Sequence, residues 1–156
     1  MIRSRIRGRG RLVRLLLAVA LATGALAGLA TPAGAGRDRD LAIHTFVKPN
    51  VVTAGDQFDV TITVRNVGST DSRANINLFL SNDRALDPSD RSLGSCSFQQ
   101  VNARGRYSCS LTVSISSTGF FYLIAGVEHA LPNVTDPIPM NNVRVAWIRV
   151  VSPPPS

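Results

Sequence analysis

The sequence predicts an all-β protein, a seven-stranded antiparallel Ig-like β-sandwich. Apolar and polar residues alternate in several segments beyond residue 40, and turn residues separate these segments. No apolar repeat at helical spacing is long enough to indicate a helix. In an antiparallel sandwich each sheet has one buried and one wet face, and that arrangement matches the observed alternation.

The first 35 residues precede the predicted sandwich and have the features of a secretory signal peptide. A basic stretch with six arginines is followed by an apolar run over residues 15–30 and by Ala33-Gly34-Ala35, which is typical of a cleavage site. The alternative is an uncleaved membrane anchor, although the run is shorter than the roughly 20 residues of a spanning helix. We therefore expect membrane contact only during export, and a protein that is secreted, periplasmic or extracellular.

Without the predicted signal peptide, the chain has almost balanced charges and the length of one domain. Six of the seventeen Lys and Arg lie in the signal, which leaves eleven against ten Asp and Glu. These basic residues are scattered, whereas a nucleic-acid interface needs them clustered, so no nucleic-acid partner is expected. The rest fits one domain, with a linker at 36–39, the sandwich at 40–151 and a proline-rich tail at 152–156.

The seven strands follow one another along the chain. The alternation is clearest in residues 58–64, where Phe58, Val60, Ile62 and Val64 are separated by polar residues. Residues 76–80 and 111–115 repeat the pattern. The complete set is predicted at residues 41–47, 58–64, 76–80, 93–99, 111–115, 120–127 and 143–151. Pro, Gly, Asn and Asp supply the turns between them, and three prolines make the connection before residue 143 irregular.

The two cysteines predict a disulfide, since paired cysteines of exported proteins are usually oxidised. With a turn centred at residues 102–103, antiparallel pairing places Cys96 opposite Cys109 and Phe98 opposite Tyr107. The sequence therefore predicts a disulfide across a hairpin.

No catalytic residues are predicted. The part after the signal has one glutamate, Glu128, and two histidines, His44 and His129, and its serines lack a Gly-x-Ser-x-Gly setting. Glu128 and His129 are interpreted as the solvated end of a strand. No His or Cys spacing indicates zinc or haem, so we expect a protein that is not an enzyme.

An aspartate-rich loop at residues 82–90, here called the aspartate loop, is the candidate metal site. Asp83, Asp87 and Asp90 could supply oxygen ligands to calcium, the one cofactor that the sequence suggests. The loop lacks the glycine and the closing glutamate of an EF-hand. The alternative is that these carboxylates hold turns through bonds to the backbone two residues on.

Aromatic residues in two predicted strands form a candidate ligand platform. Phe120 and Phe121 are consecutive, and because neighbouring side chains of a strand point to opposite faces, at least one of them leaves the core. We predict an outward pair of Phe121 and Trp147 that could bind carbohydrate. The alternative is that the outward aromatic covers an edge or pairs across strands.

Three segments of the chain resemble the CARDB domain, the cell-adhesion-related domain found in bacteria. They are DLAIHTFVKPNVVTAGDQFDVTITVRNVGST at residues 40–70, INLFLSNDRALDPSDRSLG at 76–94 and GFFYLIAGVEHALPNVTDPIPMNN at 119–142. The family pattern has an acidic residue and further asparagines before the last strand, of which this chain keeps the final pair, Asn141 and Asn142. The cysteine pair is not part of that pattern.

The resemblance implies an exported Ig-like module without shared catalytic residues. We expect it to act in adhesion or protein–protein interaction at or outside the bacterial cell surface, with a protein or surface partner that the sequence does not identify. The alternative is a calcium-dependent or carbohydrate-binding module. The sequence leaves the oligomeric state open.

Overall fold

A computed structural model describes residues 38–155, which form two β-sheets. The predicted signal peptide lies outside these residues. The strands are β1 (Leu41–Val47), β2 (Val51–Thr53), β3 (Gln57–Asn66), β4 (Ser72–Ser81), β5 (Arg91–Val101), β6 (Arg106–Ser114), β7 (Gly119–His129) and β8 (Val143–Val151). A short 3₁₀ turn, Pro139–Asn142, precedes β8. Within residues 38–155, no helix has the length and apolar character that crossing a membrane requires.

The two sheets have three and five strands. The three-stranded sheet has the order β1-β3-β6, and the five-stranded sheet has the order β2-β8-β7-β4-β5. All neighbours are antiparallel except β2 and β8, which are parallel. The prediction of an all-β fold is therefore confirmed for the described part of the chain.

The alternation in β3 shows how the sequence produces the sandwich. Val60, Ile62 and Val64 are fully buried against the other sheet. The residues between them face outward, where Thr61 and Thr63 bond to serine hydroxyls of β6 at 3.1 and 2.9 Å. Burial of each large apolar side chain contributes about 1.5–3 kcal/mol, so the buried face of β3 supplies stability and also specifies the register.

The hydrophobic core lies between the sheets and draws on both. Its fully buried side chains include Leu41, Ile62, Ile76, Leu78, Ile115, Leu123 and Ile148. Every strand except the short β2 contributes at least one residue that is almost completely buried inside this core or at its end, and the edge strand β5 does so through Val101. Phe46, Val52 and Leu93 close its margins.

An eighth strand, β2, was not predicted. Val51–Thr53 is a three-residue strand that pairs with Arg149–Val151 of β8. Three residues are too few to show an alternation, and the flanking Pro49-Asn50 and Gly55 indicate turns. The chain thus leaves the three-stranded sheet after β1 and joins the five-stranded sheet at β2.

The disulfide is present, but the predicted hairpin around it is wrong. Cys96 and Cys109 are bonded, with 6.1 Å between their Cα atoms. However, β5 pairs with β4 and β6 pairs with β3, so the bond joins two different sheets. Residues 102–105 connect β5 to β6 and form the corner between the sheets. The prediction failed because a four-residue turn suits either a hairpin or such a corner. Phe98, placed opposite Tyr107 by the prediction, instead lies in a bulge of β5 with φ of 58°.

Candidate functional site

The outer face of the five-stranded sheet carries an exposed aromatic strip, defined by Phe120 and Tyr122 of β7 and Trp147 of β8. Tyr122 lies opposite Trp147 in the ladder, and Phe120 lies opposite Arg149. Phe120 is 71% exposed and Trp147 is 50% exposed. Because alternate side chains share a face, the strand register places all three rings on the same side of the sheet.

A cationic side chain lies over each ring of the aromatic strip. The Lys48 ammonium is 5.2 Å from the Trp147 ring centre, and the Arg149 guanidinium is 5.5 Å from that of Phe120. The Arg84 guanidinium is 5.9 Å from the ring centre of Tyr122. These distances fall within the range of cation–π attraction, which holds the charged groups in place on the strip.

Lys48 is also anchored by oxygen atoms where the chain passes from β1 to β2. Its ammonium donates to the Asn50 Oδ1 at 2.9 Å, to the Pro49 carbonyl at 3.1 Å and to the Trp147 carbonyl. Burial lowers the pKa of Lys48 from its ordinary value. The lysine therefore fixes the position of the Trp147 backbone as well as its ring.

A groove of about 500 Å³ runs along the aromatic strip. Its lining consists of Arg84, Phe120, Phe121, Tyr122 and Trp147. Arg84 belongs to the aspartate loop, which folds back over the sheet. A Cβ placed on Gly126 would lie 3.9 Å from Leu86 of that loop, so Leu86 covers this glycine.

The prediction that Phe121 and Trp147 both face outward is correct for Trp147 and wrong for Phe121. Trp147 faces outward, but Phe121 lies opposite the fully buried Ile148 and packs against the core. Phe120 is the outward phenylalanine. The sequence showed that Phe120 or Phe121 had to leave the core, but which of them faces outward depends on the register of β7 against β8. Phe121 still borders the groove at its inner edge.

In the aspartate loop the carboxylates hold turns. Asp83 Oδ1 accepts a hydrogen bond from the Ala85 amide at 2.8 Å. Asp90 Oδ2 accepts from the Asp87 amide at 3.0 Å, and Asp87 Oδ1 accepts from both the hydroxyl and the amide of Ser89, at 2.6 and 2.7 Å. The hydroxyl and then the amide of Ser89 hold the pKa of Asp87 below its ordinary value.

The structure does not bring Asp83, Asp87 and Asp90 together as a metal-holding group. Within residues 38–155, no three His, Cys, Asp or Glu side chains are placed to hold a metal ion. One oxygen of each carboxylate is used by the loop's own donors. The arrangement matches the second interpretation of this loop, in which the aspartates hold turns.

His129 is not the solvated strand end that its sequence position suggested. Its Nδ1 lies 2.7 Å from the Ser72 hydroxyl, and its Nε2 lies 3.3 Å from Asp136 Oδ2. Asp136 also accepts from the amides of Leu41 and Ile138, at 3.0 and 2.8 Å. A serine, a histidine and a carboxylate in line resemble the groups of a hydrolase.

The surroundings of this line favour a structural role. Ser72 is 2% exposed, so its hydroxyl has little access to a substrate in this conformation. The neighbouring surface groove is lined by other residues, among them Arg39, Thr70 and Asn133. The line joins β4, β7 and the 130–138 segment to the start of β1. Sequence reasoning missed it because Ser72 and His129 are 57 positions apart.

Comparison with known proteins adds information on the fold. The sequence matches no protein-family model and no curated protein. The crystal structure of a CARDB domain from Pyrococcus furiosus, in complex with di-metal ions, superposes with a TM-score of 0.60 at 14% identity. The match covers 74% of this chain and 91% of that domain. The chain has the CARDB fold.

The same fold occurs as a part of larger enzymes. A β-glucosidase from Listeria innocua matches with a TM-score of 0.54 at 12% identity, over 74% of this chain and 16% of the enzyme. A β-glucosidase from Erythrobacter marinus also has a TM-score of 0.54, at 13% identity, over 72% of this chain and 16% of the enzyme. At these identities the similarity to this CARDB-like chain concerns architecture.

Proposed function

We propose that this CARDB-like chain is an exported, non-enzymatic Ig-like module that binds an acidic protein partner at or outside the bacterial cell surface. The observation that carries the proposal is the aromatic strip, in which Phe120 and Trp147 are exposed, Tyr122 is partly buried, and a cation lies over each ring. The partner binds along the groove beside the strip.

The composition of the strip favours protein binding. Interface centres are enriched in Trp, Tyr, Phe and Arg, which combine a large apolar area with directed hydrogen bonding. Lys48, Arg84 and Arg149 add three positive charges along the strip. An acidic partner would complement these charges, and electrostatic attraction would speed its association.

The position of the cations favours a protein over a sugar. A carbohydrate platform needs free aromatic faces against which the sugar ring can lie. In this chain a cation already lies over each of the three rings, so a sugar would have to displace it. Carboxylates of a protein partner could instead bind the same lysine and arginines in place.

Two further observations support an exported binding module. A disulfide persists in an oxidising compartment, and Cys96–Cys109 is bonded. The serine of the Ser72–His129–Asp136 line is buried away from the surface groove beside it. The first supports export, and the second supports a function without catalysis.

The test is quantitative capture with matched variants. Wild type, Phe120→Ala, Trp147→Ala and Phe98→Ala are immobilised and exposed to envelope and culture-supernatant proteins of the producing bacterium. Phe98 is an exposed phenylalanine of β5, outside the strip, and provides the control. We expect a protein that wild type and Phe98→Ala retain, and that both strip variants bind at least tenfold more weakly, as for an interface hot spot of about 2 kcal/mol.

A direct titration then decides whether the captured protein occupies the strip. Trp147 is the only tryptophan in the chain, so selective detection of its emission reports on this surface. The purified partner should change that emission, and rising salt should weaken the complex. Equal capture by all four proteins, or loss in Phe98→Ala alone, would contradict the proposal.

Carbohydrate binding is a second candidate, favoured by the aromatic lining of the groove. The related fold in the Listeria innocua enzyme is part of a β-glucosidase, although the identity is low. Titration of the purified protein with glucose and oligoglucosides, followed by Trp147 emission, tests it. A saturable change that Phe120→Ala removes would favour a sugar over the acidic protein.

Calcium dependence of this function is the remaining alternative. The Pyrococcus furiosus domain holds metal ions. In this chain the three carboxylates of the aspartate loop are poorly placed to share one metal ion, because the hydrogen bonds of Asp83, Asp87 and Asp90 close separate turns. We therefore propose partner binding that does not depend on a metal ion in the aspartate loop, and capture repeated with a chelator tests this.

A further inference from the structure

Ile124 of β7 is completely buried although it lies on the outer face of the five-stranded sheet. Because alternate side chains of a strand share a face, Ile124 points to the same side as Phe120 and Tyr122. Its ladder neighbours, Phe79 of β4 and Val145 of β8, are partly buried, and Ile124 lies outside the hydrophobic core between the sheets. Another part of the chain therefore covers Ile124 from the outside.

The aspartate loop provides this cover. The Arg84 guanidinium lies 5.9 Å from the ring centre of Tyr122, and Leu86 lies over Gly126. Tyr122 and Gly126 are the outward residues on either side of Ile124 in β7, so the segment from Arg84 to Leu86 passes over Ile124. Gly126 leaves room for Leu86, since a Cβ at position 126 would lie 3.9 Å from the Leu86 side chain.

The aspartate loop is held on the sheet by side-chain contacts. Within residues 38–155, the hydrogen bonds of the loop join residues 81–90 to one another. The side chains of residues 82–89 are exposed. A groove of about 200 Å³ at the base of the loop is bordered by Asn82, Ser89 and Phe121. A segment with internal hydrogen bonds and few contacts beneath it can open while the sheet stays folded.

The aspartate loop also closes one end of the groove beside the aromatic strip. Arg84 of the loop lines that groove, and the apolar surface of Ile124 continues it beneath Leu86. Leu86 is 45% exposed, so it covers this surface with only part of its side chain. An aliphatic side chain from a bound protein would fill the same space and be buried more completely.

We propose that Leu86 is a displaceable cover, and that the acidic protein bound at the aromatic strip inserts an aliphatic side chain in its place, over Ile124 and Gly126. This inference rests on the proposed function, since the cations of the strip select an acidic partner. Leu86 is at the tip of the aspartate loop, so the tip can move while Arg84 stays beside a carboxylate of the partner. The apparent affinity then includes the free energy of moving the tip.

Reactivity of a thiol at position 124 tests the cover without any partner. The native cysteines are bonded to each other, so only an introduced thiol reacts with a maleimide. Ile124→Cys places this thiol under the loop, and the matched control Val127→Cys places one on the inner face of the same strand, in the core. Opening of the loop exposes the first thiol, whereas the second requires unfolding of the sandwich.

We expect the Ile124→Cys thiol to react at least about tenfold faster than the Val127→Cys thiol. Adding Leu86→Ala should speed the reaction at position 124 by about fivefold and leave the reaction at position 127 unchanged. Equal rates at the two positions would overturn the proposal, because Ile124 would then become accessible only on global unfolding. A rate at position 124 that Leu86→Ala does not change would also overturn it.

Two substitutions at Gly126 test the inserted side chain. Gly126→Leu puts an aliphatic group of this chain into the space, whereas Gly126→Ala adds one methyl group at ordinary contact distance. The protein captured through the strip should bind Gly126→Ala like wild type, Gly126→Leu about tenfold more weakly and Leu86→Ala at least as tightly as wild type.

The outcomes separate this inference from the proposed function. Binding of Gly126→Leu at wild-type strength would overturn the inserted side chain and leave the proposed function intact. Equal capture by wild type and the strip variants would contradict the proposed function and the inserted side chain together. The thiol rates decide in either case whether the aspartate loop is a cover that opens.

Discussion

Removal of the Cys96–Cys109 disulfide should cause a large loss of stability, because the bond links the two sheets and Cys109 is buried in the core. The bond joins the edge strands of two sheets, where no backbone ladder connects β5 to β6. The perturbation is reduction of the bond in the wild type, with Cys96→Ala/Cys109→Ala as a permanently unbonded counterpart.

The magnitude follows from the length of chain that the bond closes. The cysteines are 13 residues apart in sequence. A loop of that size corresponds to about 3 kcal/mol in the chain-entropy account of disulfides. A single domain of ordinary stability has about 5–15 kcal/mol in total, so the bond supplies a large share. In a domain of this size the loss lowers Tm by roughly 10 °C.

Urea unfolding, followed by circular dichroism at matched pH, measures the loss. The oxidised and reduced wild type should differ in midpoint by an amount equivalent to about 3 kcal/mol. The double alanine variant should fall somewhat below the reduced protein, because it also loses the buried sulfur of Cys109. A difference below about 1 kcal/mol between oxidised and reduced protein would refute the reasoning, since the corner would then be held by packing alone.

Three further predictions concern polar groups and the corner. Asp136→Ala should lower the free energy of unfolding in urea by about 2 kcal/mol or more, because it leaves two backbone amides and a buried histidine without their acceptor. An unchanged midpoint would contradict a stabilising role for the Ser72–His129–Asp136 contacts. Hydrogen bonds from Ser89 lower the pKa of Asp87, so the stability they give is present above the unfolded pKa and is lost as pH falls through the folded one. Ser89→Ala should raise that pKa in an NMR titration, and an unmoved midpoint would exclude the hydroxyl as its main cause. Gly105→Ala would place a Cβ 2.9 Å from the Asn102 carbonyl oxygen and should cost about 1–3 kcal/mol, whereas a stable variant would show that the corner adapts.

Local pattern was enough to predict most strands of this fold. The alternation at Phe58, Val60, Ile62 and Val64 specifies which side of β3 is buried, and a one-residue shift would expose all of them. The short strand at Val51–Thr53 has no such pattern. It exists because the neighbouring β8 offers a free edge, and that edge is not visible in the local sequence.

Long-range contacts limited the prediction of the candidate site. Cys96 and Cys109 suit a hairpin and a sheet-to-sheet corner equally well, because the choice depends on whether β4 or β6 pairs with β5. The outward member of Phe120 and Phe121 depends likewise on the register of β7 against β8. Burial of His129 requires Ser72, which comes from another strand, so no local pattern shows it.

The parallel pairing of β2 with β8 has a mechanical consequence for any module that bears tension along its chain. When tension pulls the chain backward from Val51 and forward from Val151, the two strands slide past each other along their axes. The hydrogen bonds between them then share the load and must break together, whereas bonds at a peeled edge break one by one. Resistance to force would therefore depend on three residues of β2, although they contribute little to the equilibrium stability of the core.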